Sequence, residues 1–257
     1  MTDSVHQTAQ SGFSSAAELY QQVRPNYPQE IVTWLQQSLH LNHTASLVDL
    51  GAGTGKFIDY LTQVSPNVIA VEPVTAMLQQ LKLQHPHIKT IQAASHQIPL
   101  SPKSIDAVIC AQAFHWFADI ESLQSIHQIL KPQGALGLVW NQRDEQVGWV
   151  KTLADLLAEY EADTPRYHSG AWEHVFQQQA LFERIDVQVF KQIQYGRVED
   201  VVSKRLLSTS FIAAMPTAQQ LELKTKFEQI VQQETGKSPQ DQIGFPYKTY
   251  AYHYQKQ

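Results

Sequence analysis

A single cysteine, Cys110, stands among 257 residues, which excludes an internal disulfide framework and any multi-cysteine zinc or iron–sulfur site. Basic side chains are scarce as well. Nineteen Lys+Arg against 24 Asp+Glu leave a net charge of -5, and such a surface gives nucleic-acid backbones no broad electrostatic footprint, so no nucleic-acid partner is expected. No stretch approaches the roughly 20 apolar residues that a membrane span needs. The opening MTDSVHQTAQSG is polar, without the apolar centre of a signal peptide. His6, His40, His43, His85 and His87 show no metal-ligand grouping, and no metal is expected. What is present is apolar material: 43% hydrophobic residues, enough for one large domain or a domain with a small subdomain. A soluble, cytoplasmic protein is expected.

Residues 16–23 read as a short helix stopped by Arg24-Pro25. Residues 28–39 read as a second, with Ile31, Val32, Trp34, Leu35 and Leu39 at helical spacing. From residue 46 the pattern alternates. Short apolar runs at 46–50, 68–71, 88–93, 105–110 and 135–140 are separated by helical patterns at 75–83 and 123–130, and Lys131-Pro132-Gln133-Gly134 reads as a turn. Unalternated apolar runs between helices mark parallel strands covered on both faces, hence an open α/β sheet with βαβ crossovers. Beyond Trp140 the texture changes. Residues 147–160, 198–207 and 218–233 read as helices, and 182–190 and 247–254 as strands that complete the same sheet beneath a helical lid.

The segment Val48-Asp49-Leu50-Gly51-Ala52-Gly53-Thr54-Gly55-Lys56 joins the first strand to the next helix. Glycines at 51, 53 and 55 let the backbone turn tightly and approach a ligand. The position is the carboxyl end of a strand, where open sheets bind ligands. Glu72 ends the second strand and is placed to accept both hydroxyls of a ribose. A dinucleotide site shares much of this geometry, but its G-x-G-x-x-G fingerprint would need a third glycine at 56, where lysine stands.

The motif Asp49-Leu50-Gly51-Ala52-Gly53-Thr54-Gly55 resembles motif I of the class I S-adenosylmethionine-dependent methyltransferases, and Val71-Glu72-Pro73 resembles their motif II. Ile98-Pro99-Leu100 with Ser104-Ile105-Asp106-Ala107-Val108 is similar to the loop and fourth strand of the type-11 members. Ala111-Gln112-Ala113-Phe114-His115-Trp116-Phe117 and Tyr20…Arg24-Pro25-Asn26-Tyr27-Pro28 resemble a trans-aconitate-methyltransferase-like subgroup. The likeness covers residues 13–140 well and the rest only in layout.

This resemblance implies an α/β fold: a Rossmann-like open, mostly parallel seven-stranded sheet with helices on both faces and a helical lid from the C-terminal half. Residues 1–45 would close over the cofactor, 46–146 form the cofactor-binding core, and 147–257 supply the lid and the last strands. The implied cofactor is S-adenosylmethionine, leaving as S-adenosylhomocysteine. Gly51, Ala52, Gly53 and Gly55 would pack against its methionine part, with Asp49 near the amino group or bridging by water. Glu72 would bind the ribose, Pro73 lie beside the adenine, and Ala111 present a carbonyl to the ammonium. Tyr20 and Arg24 would close over the carboxylate. Relatives often hold the adenine amino group with an acid near position 94; the local run here is Ala93-Ala94-Ser95-His96-Gln97, so Ser95, His96 or backbone groups would replace it.

His115 and Trp116 follow the fourth strand and have two readings: a satisfied histidine with a core tryptophan, or the lining of an acceptor pocket. In the second, the resemblance to small-molecule carboxyl methyltransferases, some of which use the tryptophan of a His-Trp pair in this way, implies that Trp116 donates its indole N–H to a substrate carboxylate; alternatively His115 serves as general base for a hydroxyl. The expected function is methyl transfer to a small molecule, an organic-acid carboxylate being the favoured acceptor and a hydroxyl or quinone-like carbon the alternative. An NAD-dependent oxidoreductase and a non-catalytic cofactor-binding protein remain as competing classes.

Overall fold

In the computed structural model, residues 22–177 and 179–257 are described. Seven strands form one sheet in the order β3-β2-β1-β4-β5-β7-β6. The first five, β1 (Leu47–Leu50), β2 (Val68–Val71), β3 (Lys89–Ile91), β4 (Ile105–Ala111) and β5 (Leu130–Arg143), pair in parallel; β7 (Gln242–Lys256) runs antiparallel between β5 and β6 (Phe182–Arg197). The strand order reverses direction between β1 and β4, so their carboxyl ends open the crevice where such sheets bind ligands.

Two cores sandwich the sheet because successive strand residues point to opposite faces. Leu47, Ala107, Ile109 and Val139 face helices α1 (Glu30–Gln37) and α2 (Ile58–Thr62), with Trp34 and Leu61 between. Val48, Val108, Cys110, Leu138 and Trp140 face the other way, against α4 (Ile120–Ile129); helix α3 (Thr75–Gln84) sits between β2 and β3 in the chain. The cysteine is thus a packed small hydrophobe. A third cluster joins α5 (Gly148–Ala158), the segment 198–212 and α8 (Thr217–Thr235) through Leu153, Val202 and Phe227, and meets the sheet at Phe245 and Tyr247.

Several sequence boundaries shift for local reasons. Helix α4 starts at Ile120, earlier than its apolar pattern, because the Asp119 carboxylate accepts from the Ser122 N–H at 2.7 Å, a cap worth about 1 kcal/mol. Strand β3 shrinks to three residues at the sheet edge. The expected turn 131–134 lies inside β5 as a bulge: pairing jumps from Ile105–Leu130 to Ala107–Ala135, with Gln133 at φ 60°. Strand β6 continues seven residues past Phe190, because its polar residues lie on the open edge while β7 pairs with it throughout. The expected helix 198–207 begins as a wide π turn (Glu199–Lys204) before α6 (Arg205–Leu207); α7 (Ser210–Ala213) follows. The expected helix 16–23 lies largely outside the described residues. Among the described residues, no helix is long and apolar enough to cross a membrane.

Candidate active site

The loop after β1 is held from below by the end of β2. The Gly51 and Ala52 N–H groups donate to the Val71 carbonyl at 2.8 and 3.1 Å. The Glu72 carboxylate accepts from the Gly53 N–H at one oxygen and from the Val74 N–H at the other, both at 2.8 Å. Glu72 thus clamps the glycine loop to the entrance of α3. Each of its oxygens keeps a second lone pair. Burial drives its pKa up to about 7, against the lowering by the two backbone donors. Asp49 is 1% exposed, and neither of its oxygens has a hydrogen-bond partner. Burial, with Glu72 nearby, pushes it up to about 8.

Both acids line a cavity together with Gly51, Gly53, Pro73 and Trp116. The segment before α1 closes one side. Asn26 is fixed by Asn141 Nδ2 and Gln192 Nε2, which donate to its carbonyl at 3.0 and 2.9 Å. Tyr27 exchanges two hydrogen bonds with the Tyr60 hydroxyl, at 2.9 and 2.6 Å. Arg24 donates from Nη2 to the Ser208 carbonyl at 2.7 Å, tying this segment to the helical cluster.

A second, polar cavity adjoins the first. Arg24, Gln112, Trp116 and Arg205 border both. Gln112 sits at φ 61°, its N–H bonded to the Val139 carbonyl at 2.8 Å, so β4 ends in a sharp turn between the cavities. His115 opens only onto the second. Its Nδ1 accepts from the buried Trp140 indole at 3.0 Å, which leaves the proton of the neutral ring on Nε2. Burial, then the positive charges of Arg166, Arg24 and His168, hold its pKa down to about 3.

This fold and loop have known counterparts. The model of a methyltransferase domain family, type 11, matches residues 48–138. An uncharacterized methyltransferase-like protein of Schizosaccharomyces pombe is 33% identical over 239 residues, 93% of each chain. The chain belongs to the class I S-adenosylmethionine-dependent methyltransferases. An uncharacterized methyltransferase of Mycobacterium tuberculosis is 39% identical over 145 residues, 56% of this chain and 58% of its own. A structure named a type II methyltransferase, from Anaeromyxobacter dehalogenans, shares the fold with a TM-score of 0.65 at 20% identity, over 90% of this chain and 96% of that one.

The methyltransferase's cavity fits the cofactor its family uses. An orphaned buried carboxylate at Asp49 suits a cationic ligand. At Gly53 an added Cβ would meet nothing within 4 Å, so the backbone is open to close approach. The raised acids give a pH dependence. Each has a folded pKa above its unfolded value, so the fold favours the neutral form, and their contribution to stability falls as pH rises from about 4 toward about 8. A cationic ligand favours the ionised form. S-adenosylmethionine affinity should therefore climb several-fold between about pH 5.5 and about pH 7.5, and Asp49→Asn should flatten the rise. Calorimetric titration at three pH values checks this, and a pH-independent affinity in the parent protein would contradict it.

The structure brings Arg24, Asp49, Gly51, Ala52, Gly53, Glu72, Pro73, Ser95, Ala111 and Trp116 to the first cavity. Gly55 is not on that surface; its missing Cβ faces His85 at 2.7 Å and Leu81 at 3.0 Å, so it serves loop-to-α3 packing. His96 lies outside the lining, while Ser95 lines it and shares a 2.7 Å hydrogen bond with Ser122. Tyr20 lies outside the described residues. Sequence reasoning missed Gln112, Arg143, Arg166 and Arg205. Arg143 carried a signal, a charge at the carboxyl end of an apolar strand. Arg205 carried another, a charge amid Val201, Val202, Leu206 and Leu207.

Proposed function

We propose that this methyltransferase methylates a carboxylate of a small organic acid, giving a methyl ester and S-adenosylhomocysteine. The state of His115 carries the reading. With Nδ1 engaged by Trp140 and a pKa of about 3, the histidine at the acceptor side takes no proton at neutral pH and offers an N–H donor instead. An acceptor there has to arrive ionised, as a carboxylate does. A hydroxyl would need a base. Similarity of the 111–117 and 20–28 segments to the trans-aconitate-methyltransferase-like subgroup supports the same acceptor class.

When bound, S-adenosylmethionine supplies a methyl group already activated by its sulfonium charge. Asp49 offsets cationic charge in the cofactor cavity, Glu72 accepts from the ribose, and the Gly51–Gly53 backbone admits the ligand closely. Ser95 and Pro73 flank the adenine. Trp116 and Gln112, at the junction of the two cavities, orient the acceptor; alignment of this kind supplies much of the barrier reduction in such transfers. Residues 22–28 and the cluster from α5 to α8 keep water from the junction, the former as part of the segment that closes over the cofactor. The acceptor oxygen takes the methyl group and no proton moves.

The test uses methyl-labelled S-adenosylmethionine with carboxylic acids, phenols and quinols. The expected product is an ester whose label becomes volatile in alkali. His115→Gln, which keeps an acceptor for the Trp140 indole, should lower kcat by less than about tenfold, where loss of a general base costs about 10²–10⁴. A base-stable product with a loss of the larger size would establish the hydroxyl reading.

A further inference from the structure

The second cavity is lined by four arginines, Arg24, Arg143, Arg166 and Arg205, in a chain with a net charge of -5. Arg205 is 7% exposed, and its Nε and Nη1 are buried without a hydrogen-bond partner; Arg143 Nε is in the same condition. Of the acids nearby, Asp144 is held by Lys248 at 2.9 Å, and Glu161 is shared between Arg166 at 3.0 Å and His168 at 3.1 Å. Burial and then the charges of Arg205 and Arg166 bring Arg143 down to about 10. Burial lowers Arg166 as well, with Arg205 adding to it and Glu161 opposing. Guanidinium groups left unsatisfied in a desolvated cluster destabilise a fold unless a ligand compensates.

Their placement is fixed. Arg143 ends β5 opposite Tyr247 of β7. Arg166 stacks over Phe211, 5.3 Å from the ring centre. Arg205 leaves the wide π turn, which Asp200 braces by accepting from Arg197 and Lys204 at 2.8 and 2.7 Å. π turns are frequent at functional sites.

We infer that Arg143, Arg166 and Arg205 form a subsite for a second, non-reacting anionic group of the acceptor, a carboxylate or a phosphate, so that the true substrate carries at least two negative charges. This rests on the reading that the acceptor occupies the second cavity. Arg143 and Arg166 line that cavity alone, whereas Arg205 also borders the cofactor cavity. A monocarboxylate reacting at the junction would leave Arg143 unmatched and Arg166 with only the shared Glu161 as counter-charge. The chemistry agrees: a carboxylate clamped by a bidentate guanidinium is a poorer nucleophile, so the arginines suit the group that does not react. The reacting carboxylate loses its charge on methylation, and the second group keeps the product's orientation.

The experiment measures Kd on protein saturated with S-adenosylhomocysteine, using butyrate, succinate, tricarballylate and 2-phosphoglycolate as probes. Succinate, tricarballylate or phosphoglycolate should bind at least tenfold more tightly than butyrate, the stronger of the carboxylate and phosphate arms naming the group. Arg143→Gln/Arg166→Gln should erase that advantage while S-adenosylmethionine titration shows the fold and cofactor site intact; single Arg143→Gln serves if the double variant fails to fold. Equal binding of butyrate and the polyanions, or an advantage that survives the substitutions, overturns the subsite. Failure of the carboxylate reading looks different: an arginine-dependent polyanion advantage with a base-stable product sinks ester formation and leaves the subsite standing.

Discussion

Glu72→Ala should weaken S-adenosylmethionine binding by about ten- to a hundredfold, since hydrogen bonds to a charged acceptor are worth about 1.5–3 kcal/mol. Two losses combine. The ribose would lose the acceptor proposed for it, and the Gly53 and Val74 N–H groups lose theirs, each 2.8 Å from the carboxylate, which frees the glycine loop from α3. Stability should respond in the opposite sense or hardly at all, because the substitution also removes an acid whose ionisation burial opposes, at a pKa of about 7. Glu72→Gln separates the parts. Its carbonyl oxygen can serve one of the two N–H groups, but its amide must face the other donor, so binding should fall nearly as far although the volume is kept. Calorimetric titration with parallel thermal melts reads both. Undiminished affinity in the alanine variant would reduce Glu72 to a strut of the loop.

The cofactor cavity was legible in sequence because it depends on local rules. A glycine turn must follow a strand, an acid must end the next strand, and the separation between them is set by one βα crossover. Asp49, Gly51, Gly53, Glu72 and Pro73 meet on one cavity for that reason. The second, arginine-lined cavity was not legible. Arg143, Arg166 and Arg205 lie 62 positions apart at their extremes and come from a strand end, the segment after α5 and the turn after β6, so only the tertiary fold brings them to one cavity. Arg205 depends further on a π turn, which helical periodicity cannot distinguish from an α-helix of the same composition. His115 shows the same limit from another side. Its position after β4 was readable, but its protonation is set by burial, by the charges of Arg166 and Arg24, and by the Trp140 indole 25 residues on. The length of β6 was hidden by its edge position: Lys191, Gln192 and Gln194 interrupt the apolar pattern, yet β7 bonds to this strand as far as Arg197.

Within the glycine loop, two substitutions of the same kind should fail differently. Gly51→Ala places a methyl 2.6 Å from Ala113 Cβ and 3.3 Å from the Phe117 ring, at φ 71°. The left-handed backbone costs an L-residue about 1–2 kcal/mol, and overpacking adds about 1–3 kcal/mol. Neither neighbour yields easily, since Ala113 has no side-chain rotamer and Phe117 is wedged against Phe114 at 5.6 Å between ring centres. The expected loss is therefore about 2–5 kcal/mol of stability, with cofactor binding lost as the loop shifts. Gly53→Ala carries the same backbone cost at φ 58°, but its methyl would meet nothing within 4 Å, and Gly53 lines the cavity. Its stability should drop by only about 1–2 kcal/mol, while affinity for S-adenosylmethionine falls at least tenfold because the methyl occupies the ligand's approach. Denaturant unfolding together with calorimetric titration separates the two. A Gly53→Ala protein that binds the cofactor normally would show that the ligand does not approach the loop at this point, and would move the contact toward Ala52 and Asp49.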